Sequence, residues 1–208
     1  MNKQKILWER LAKENSRYYI NSDFGRAISE KKFKRSGENA YRRLVAEDEL
    51  LKSRESILDF GCGTGRLTEF MAKDFKKVIG VDISGTMIIQ GRQRLKNLKN
   101  VELLEIDGQH IPLPGDSIDI VLSYLVFQHI KTREMVEGAF AEIYRVLVPG
   151  GIFKVLLRSD KQKDMKRWWS GVEYNEESIR KVYQNTGFTP LKVEHLDKNA
   201  FWLWLKKK

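Results

Sequence analysis

From residue 57 onward, short apolar runs of strand length alternate with longer amphipathic segments, and this rhythm leaves few folds open. The runs are SILDF, KKVIGVD, VELLEI, IDIVLSY and GIFKVLL, with helices predicted around 65–75, 85–97 and 133–147 between them. Strands that are apolar throughout are buried on both faces, and helices between them predict a parallel sheet. The last two runs, PLKVEHL and AFWLWLKK, are separated by the short DKNA turn, which suits an antiparallel hairpin at the end of the sheet. The expected fold is α/β: a doubly wound, mostly parallel seven-stranded sheet with the last strand antiparallel.

The residues before this rhythm read as helical. Ile6, Leu7, Leu11 and Ala12 share one helical face, and Leu44, Val45, Leu50 and Leu51 recur at helical spacing. Between them SEKKFKRSGENA is polar and basic and reads as an exposed connection. No internal repeat or low-complexity linker interrupts the chain. The expected division is a helical segment over 1–52 and one α/β domain over 53–208, and 208 residues suffice for one substantial core.

Lys and Arg total 38 against 28 for Asp and Glu, a formal net charge of +10 that favours anionic partners through long-range fields. The single cysteine, Cys62, excludes a disulfide framework and any cysteine-based metal site, so no metal is expected. The N-terminus lacks an apolar signal region, and no stretch of about 18 apolar residues occurs that would span a bilayer. These features predict a cytoplasmic protein with no membrane partner.

The sharpest local feature is ILDFGCGTGRLTEF, where an apolar run ends in an acid and glycines follow at 61, 63 and 65. Glycine permits a tight turn and a close approach of ligand to backbone. In doubly wound folds the first strand-to-helix turn is a ligand site, and the N-terminus of the following helix favours an anionic group. A phosphate loop of the GxxxxGK[ST] kind is excluded because no Lys follows the last glycine. A dinucleotide fingerprint is disfavoured by Arg66, which stands where a third glycine or alanine would permit close packing. The next strand ends in Asp82, whose carboxylate can accept hydrogen bonds from both hydroxyls of a ribose. The third ends in Asp107, which can accept from an exocyclic amine. Three consecutive strand tips thus carry a glycine loop, a sugar acid and a base acid.

With those residues assembled, the sequence resembles the class I S-adenosylmethionine-dependent methyltransferases from about Ser56 to the C-terminus. ILDFGCGTGRL resembles the first motif, VIGVDIS the second, and DGQHIPLPGDSIDIVLSY the third and fourth. EIYRVLVPGGIFKVLL resembles the helix, turn and fifth strand that follow. The resemblance implies a Rossmann-like methyltransferase fold and S-adenosyl-L-methionine as cofactor. It implies that Gly61, Gly63 and Gly65 lie against the methionine part, with Asp59 near its ammonium. Asp82 would bind the ribose, Ile83 and Met87 would line the adenine, and Asp107 with Gly108 would read the adenine edge. Cys62, Gln109 and Tyr124 complete the implied cofactor-binding set. Plainer readings stand beside these: Asp59 fixing the turn, Cys62 as a small packed residue and Met87 as helix core.

Methyl transfer from a sulfonium is an in-line displacement, so alignment and exclusion of water matter more than a dedicated base. The expected working surface is SYLVFQHI, residues 123–130, where Tyr124 and Phe127 would face sulfonium or acceptor and His129 would take a proton. The plainer reading of His129, as a residue that caps or packs against the next helix, is the stronger of the two; His110 and His195 are less suited, one in a turn and one near the end of an outer strand. The segment lacks the Asn/Asp-Pro-Pro-Phe/Tyr signature of nucleic-acid amine methylation, and no metal-dependent catechol constellation is present. Additions set acceptor choice in this fold. Trp8, Tyr18, Tyr19 and Phe24 are expected in a lid, with Tyr19 reaching the substrate. Trp168 and Trp169, in the basic segment 158–178, would meet an anionic or planar acceptor or else pack on the core.

Three functions compete: methyl transfer to a small-molecule oxygen, nitrogen or carbon nucleophile; methyl transfer to RNA or a ribosomal component, suggested by KKFKR, KQKDMKR and the terminal KKK; and cofactor binding without turnover. The sequence does not decide the acceptor or the oligomeric state.

Overall fold

The computed structural model describes residues 3–22, 25–158, 171–172, 174–197 and 200–208. They fall in two compact units, Met1–Asp107 and Gly108–Lys208. The first unit contains α1 (Lys3–Ile20), α2 (Glu30–Tyr41), a π-helical turn over Arg42–Ala46, β1 (Ser56–Phe60), α3 (Thr68–Asp74), β2 (Lys77–Asp82), α4 (Gly85–Arg94) and β3 (Val101–Glu105). β2 lies between β1 and β3 and is parallel to both. Every residue of β1 is buried, as a strand covered on both faces should be.

α1 is broken at Asn15, whose φ of −167° and ψ of 84° leave the helical region. Asn15 Oδ1 accepts from the Tyr18 N–H at 3.1 Å, so the residue starts the second half as a cap, and its Nδ2 donates to the Arg26 carbonyl at 2.9 Å. The expected apolar face is only partly used: Leu11 and Ala12 are buried, whereas Ile6 is 46% exposed.

The segment SEKKFKRSGENA is not an exposed connection. It is α2, capped by Ser29, which accepts from the Lys32 N–H. Phe33, Gly37, Ala40 and Tyr41 are buried, while Lys31, Lys32, Lys34 and Arg35 face solvent. Gly37 is where this helix meets the glycine loop: a Cβ there would run into the Arg66 carbonyl oxygen. Leu44 and Val45 are buried in the π-helical turn, but the helix ends before Leu50, and Leu51 is buried in the connection beyond it.

The second unit contains β4 (Ile118–Ser123), a 3₁₀ turn over Phe127–His129, α5 (Arg133–Val146), β5 (Leu147–Arg158), α6 (Glu176–Thr186), β6 (Thr189–Asp197) and β7 (Ala200–Lys206). β4 and β5 are parallel, and β7 is antiparallel to both β5 and β6. The strand order is β3-β2-β1 in the first unit and β4-β5-β7-β6 in the second. The expected hairpin forms, and its second strand takes the inner place: β7 is buried along nearly its whole length, β6 exposed along nearly all of its own. α6 was not among the expected helices. A capping box at Asn175 starts it and left-handed Gly187 ends it, but it buries only Ile179 and Tyr183, too few apolar positions to show a period. Phe127, Phe140, Phe153 and Phe188 pack ring against ring in the core of this unit, with centroids 5.3–6.3 Å apart. Among the described residues no helix is long and apolar enough to cross a membrane.

Candidate functional site

The glycine loop is pinned from below by β2. The N–H groups of Gly61 and Cys62 both donate to the Val81 carbonyl, at 2.8 and 3.0 Å, and the Gly65 N–H donates to the Cys62 carbonyl at 3.0 Å. Gly61, Gly63 and Gly65 have φ of 81°, 55° and 77°, the left-handed region that side chains disfavour. Space is closed as well. A Cβ on Gly65 would lie 2.5 Å from Leu95 Cδ1, and one on Gly63 2.9 Å from Ile20 Cδ1. The alternate spacing of the glycines is thus a backbone requirement.

Three carboxylates organise what surrounds the loop. Asp59, buried at the end of β1, accepts from the Thr68 hydroxyl at 2.6 Å and so ties the strand to the first turn of α3. Burial pushes its carboxyl up to about 6, against the Thr68 hydrogen bonds and the Arg66 charge, while Asp82 adds to the rise. Asp82 accepts from the Gly63 N–H through Oδ2 and from the Ser84 N–H through Oδ1, both at 2.9 Å. Burial raises its pKa; hydrogen bonds from Ser84, Gly63 and Ile83 oppose that rise, and the charge of Glu9 adds to it. Glu9, from the first half of α1, accepts from the Thr86 hydroxyl at 2.5 Å and faces the Thr86 N–H at 3.3 and 3.4 Å. Burial raises its pKa too, but hydrogen bonds from Thr86, Gly85 and Ser84 outweigh this and hold it below the usual carboxylate range.

α1 therefore runs across the strand tips of its unit. Lys5 pairs with Glu105 at the end of β3, Glu9 meets Thr86 just past β2, and Ile20 covers Gly63 in the loop after β1. Beyond the break, Tyr18 and Tyr19 pack edge to face at 4.9 Å, with the Arg26 guanidinium over both rings. Tyr19 is buried there and accepts from Arg26 Nη2 at 3.3 Å.

Of the remaining expected residues in this unit, Ile83 is half-buried beside Asp82 and Asp107 is exposed. The Ile106 N–H donates to the Asp82 carbonyl at 2.9 Å, which brings the two strand tips side by side. The Cys62 thiol is buried against Ile88, Leu95 and Leu103, and burial raises its pKa well above the ordinary thiol range. Met87 is only 1% exposed, in the first turn of α4. Glu9, Ser84 and Thr86 were missed from sequence. Ser84 carried a readable signal, a helix cap three residues before Met87, whose N–H it accepts at 3.2 Å. Glu9 carried none.

In the second unit Gly108 has φ of 89° and Gln109 is exposed. Tyr124, just past β4, is half-buried and stacks on Trp202 with centroids 5.7 Å apart and planes 15° from parallel. Leu125 then takes φ of 62°, a left-handed conformation costly for a branched side chain. Phe127, expected at the acceptor, is instead a core residue: its side chain is fully enclosed and its ring meets Phe140 and Phe153. His129 is 9% exposed, and its Nε2 accepts from the Gln128 side-chain amide at 3.1 Å. This turn is held from outside by the Val172 N–H on the Ile130 carbonyl and the Tyr174 hydroxyl on the Phe127 carbonyl. His110 is exposed, and His195 on β6 pairs with Glu176 at 2.6 Å. Phe24, Trp168 and Trp169 lie outside the described residues. Among the described residues no group of three or more His, Cys, Asp or Glu is placed to hold a metal ion.

Comparison with known proteins agrees with this geometry. A family described as a methyltransferase domain matches residues 58–155. Over 122 residues the chain is 29% identical to a ubiquinone/menaquinone biosynthesis C-methyltransferase of Enterobacter sp. (strain 638), covering 56% of this chain and 47% of that protein. Over 96 residues it is 38% identical to a malonyl-[acyl-carrier protein] O-methyltransferase of Yersinia pestis, covering 46% of this chain and 34% of that one. The chain thus spans less than half the length of either curated relative. A crystal structure of a SAM-dependent methyltransferase from Aquifex aeolicus superposes with a TM-score of 0.64 at 20% identity, over 87% of this chain and all of that one, a likeness of fold.

Proposed function

We propose that the chain is a class I S-adenosylmethionine-dependent methyltransferase, an enzyme that methylates a small-molecule acceptor by in-line displacement. One observation carries the reading: three alternate residues of the loop are left-handed glycines, and the loop is tied directly to Asp82. The cofactor fits what these residues offer. The bare backbone at Gly61 and Gly63 admits the methionine end; Asp82, with two of its lone-pair directions used by N–H groups, retains acceptor capacity for ribose hydroxyls. Ile83, Asp107, Gly108 and Gln109 would receive the adenine. Asp59 acts on the loop through Thr68, and Cys62 and Met87 support it as packed side chains.

When bound, the cofactor supplies an electrophilic methyl group on a sulfonium. The chain's own task is alignment and exclusion of water. Tyr124, fixed by its stack on Trp202, offers a rigid aromatic surface, and His129 is the proposed proton acceptor, its Nε2 first exchanging the Gln128 amide for the proton it takes. α1 is the proposed lid, and Tyr19 its contribution toward the acceptor. The names of the two curated relatives, a C-methyltransferase of ubiquinone/menaquinone biosynthesis and a malonyl-[acyl-carrier protein] O-methyltransferase, support a small organic acceptor of planar or anionic kind here.

Isothermal titration of the purified protein with S-adenosylmethionine and, separately, with NAD tests the reading. Binding of the first alone is expected, followed by labelled methyl transfer to a small-molecule fraction of a cell extract. Binding of NAD alone would overturn it, and cofactor binding with no transfer to any fraction would leave a protein without turnover. The solvent face of α2, with Lys31, Lys32 and Arg35, supports RNA as a second reading. That reading requires label in RNA and an affinity for RNA that falls steeply with salt.

A further inference from the structure

We infer that Glu9 is a positioning residue for the cofactor, acting through the first turn of α4 to hold both Asp82 and the strap α1 in place. The inference rests on the cofactor reading above and names a residue that reading does not require. Residues 82 to 87 form one continuous string of polar contacts. Asp82 Oδ1 accepts from the Ser84 N–H, Ser84 Oγ accepts from the Met87 N–H, and Glu9 takes the hydroxyl and faces the N–H of Thr86.

The first N–H groups of a helix have no partner within it, and a carboxylate placed there satisfies them and complements the dipole. In this structure that carboxylate comes from a separate element more than seventy positions earlier in the chain. Its contact therefore does two things at once: it fixes the turn that aims Asp82, and it fastens the first half of α1 between the Lys5–Glu105 pair and the break at Asn15. The second half, carrying Ile20 over Gly63, is left as the part that must yield when the loop receives a ligand. Cofactor occupancy and closure of the second half are then linked through a fixed anchor, as ligand-coupled lids require.

The test is a double-mutant cycle on cofactor affinity with Glu9→Ala and Thr86→Val, accompanied by Glu9→Gln and Asp82→Ala and by amide exchange over residues 3–20. S-adenosylhomocysteine is the titrant, so no acceptor is needed. Expected results are about tenfold weaker binding for Glu9→Ala, binding within about threefold of wild type for Glu9→Gln, which keeps an acceptor oxygen, and a clearly non-additive double mutant. Wild type should gain exchange protection over 16–20 on binding, and Glu9→Ala should lose that gain. A merely structural role would lower the melting temperature of the free protein without changing the affinity or the coupled protection. Wild-type affinity in a folded Glu9→Ala protein, or additivity with Thr86→Val, would overturn the inference and leave the cofactor reading intact. Absence of binding by the wild type would overturn both.

Discussion

The first unit meets its candidate ligand with backbone and charge, whereas the second offers rings. Around the glycine loop the decisive contacts are N–H groups on carboxylates: Gly63 and Ser84 on Asp82, Thr86 on Glu9, with the Thr68 hydroxyl on Asp59. Past β4 they are Tyr124 on Trp202 and Phe127 among Phe140 and Phe153. A hydrogen-bonded cradle has one geometry and suits a ligand that never changes; a packed aromatic wall can be refilled with side chains of other shapes. On the function proposed above, the cradle would keep the cofactor while the ring surface at Tyr124 would vary with the acceptor.

The sharpest way to break this contrast is to hollow the second unit. Phe127→Ala should destabilise the protein by about 3–5 kcal/mol, the range for emptying an aromatic core site. Thermal melts should show a fall of roughly 10 °C. Retention of the wild-type melting temperature would mean that Phe127 is not the core residue described. Next in size, Asp82→Ala should weaken cofactor binding at least about a hundredfold by titration, since it removes the acceptor of two loop N–H groups as well as the ribose contact. A loss smaller than about fivefold would move the site away from Asp82.

Asp59 sharpens the comparison by pH. Its folded pKa of about 6 lies above the ordinary 3.8, so the folded state holds the proton more tightly than the unfolded chain. The stability it contributes is present below about 4 and lost as pH rises through about 6, an effect on the order of 3 kcal/mol. Urea melts of Asp59→Asn should be flatter than wild type across that window, and parallel curves would refute the assignment. The smallest effect is expected at Tyr124. Tyr124→Ala should cost about 1 kcal/mol for the lost stack on Trp202, and Tyr124→Phe less than about 0.5, both read from melts.

How far the chain could be read in advance follows the same line. Gly61, Gly63, Gly65 and Asp82 were legible because a left-handed turn and a strand-tip carboxylate leave residue types that little else explains. α2 was not, because its buried face is Phe33, Gly37, Ala40 and Tyr41, two aromatics at its ends with only small residues between them, which in sequence look like the polar run around them. α6 was hidden because it buries only Ile179 and Tyr183, too few apolar positions to show a period. Tyr124 and Phe127 were both read as facing the site. Left-handed Leu125 interrupts the chain between them, so the regular alternation that would sort inner from outer does not apply. Glu9 shows the remaining limit: its role depends on a partner more than seventy positions away, and no local pattern announces that.

The inner position of β7 bears on how the protein is made. β5 is complete in sequence long before its antiparallel neighbour, and residues 200–206 must emerge before β5 gains that partner. At roughly 5–20 residues per second of synthesis, the apolar edge of β5 stays bare for some seconds. Such an edge is a template for a stray strand. Residues 200–206 thus protect residues 147–158, and a chain cut before residue 200 would leave that apolar edge exposed.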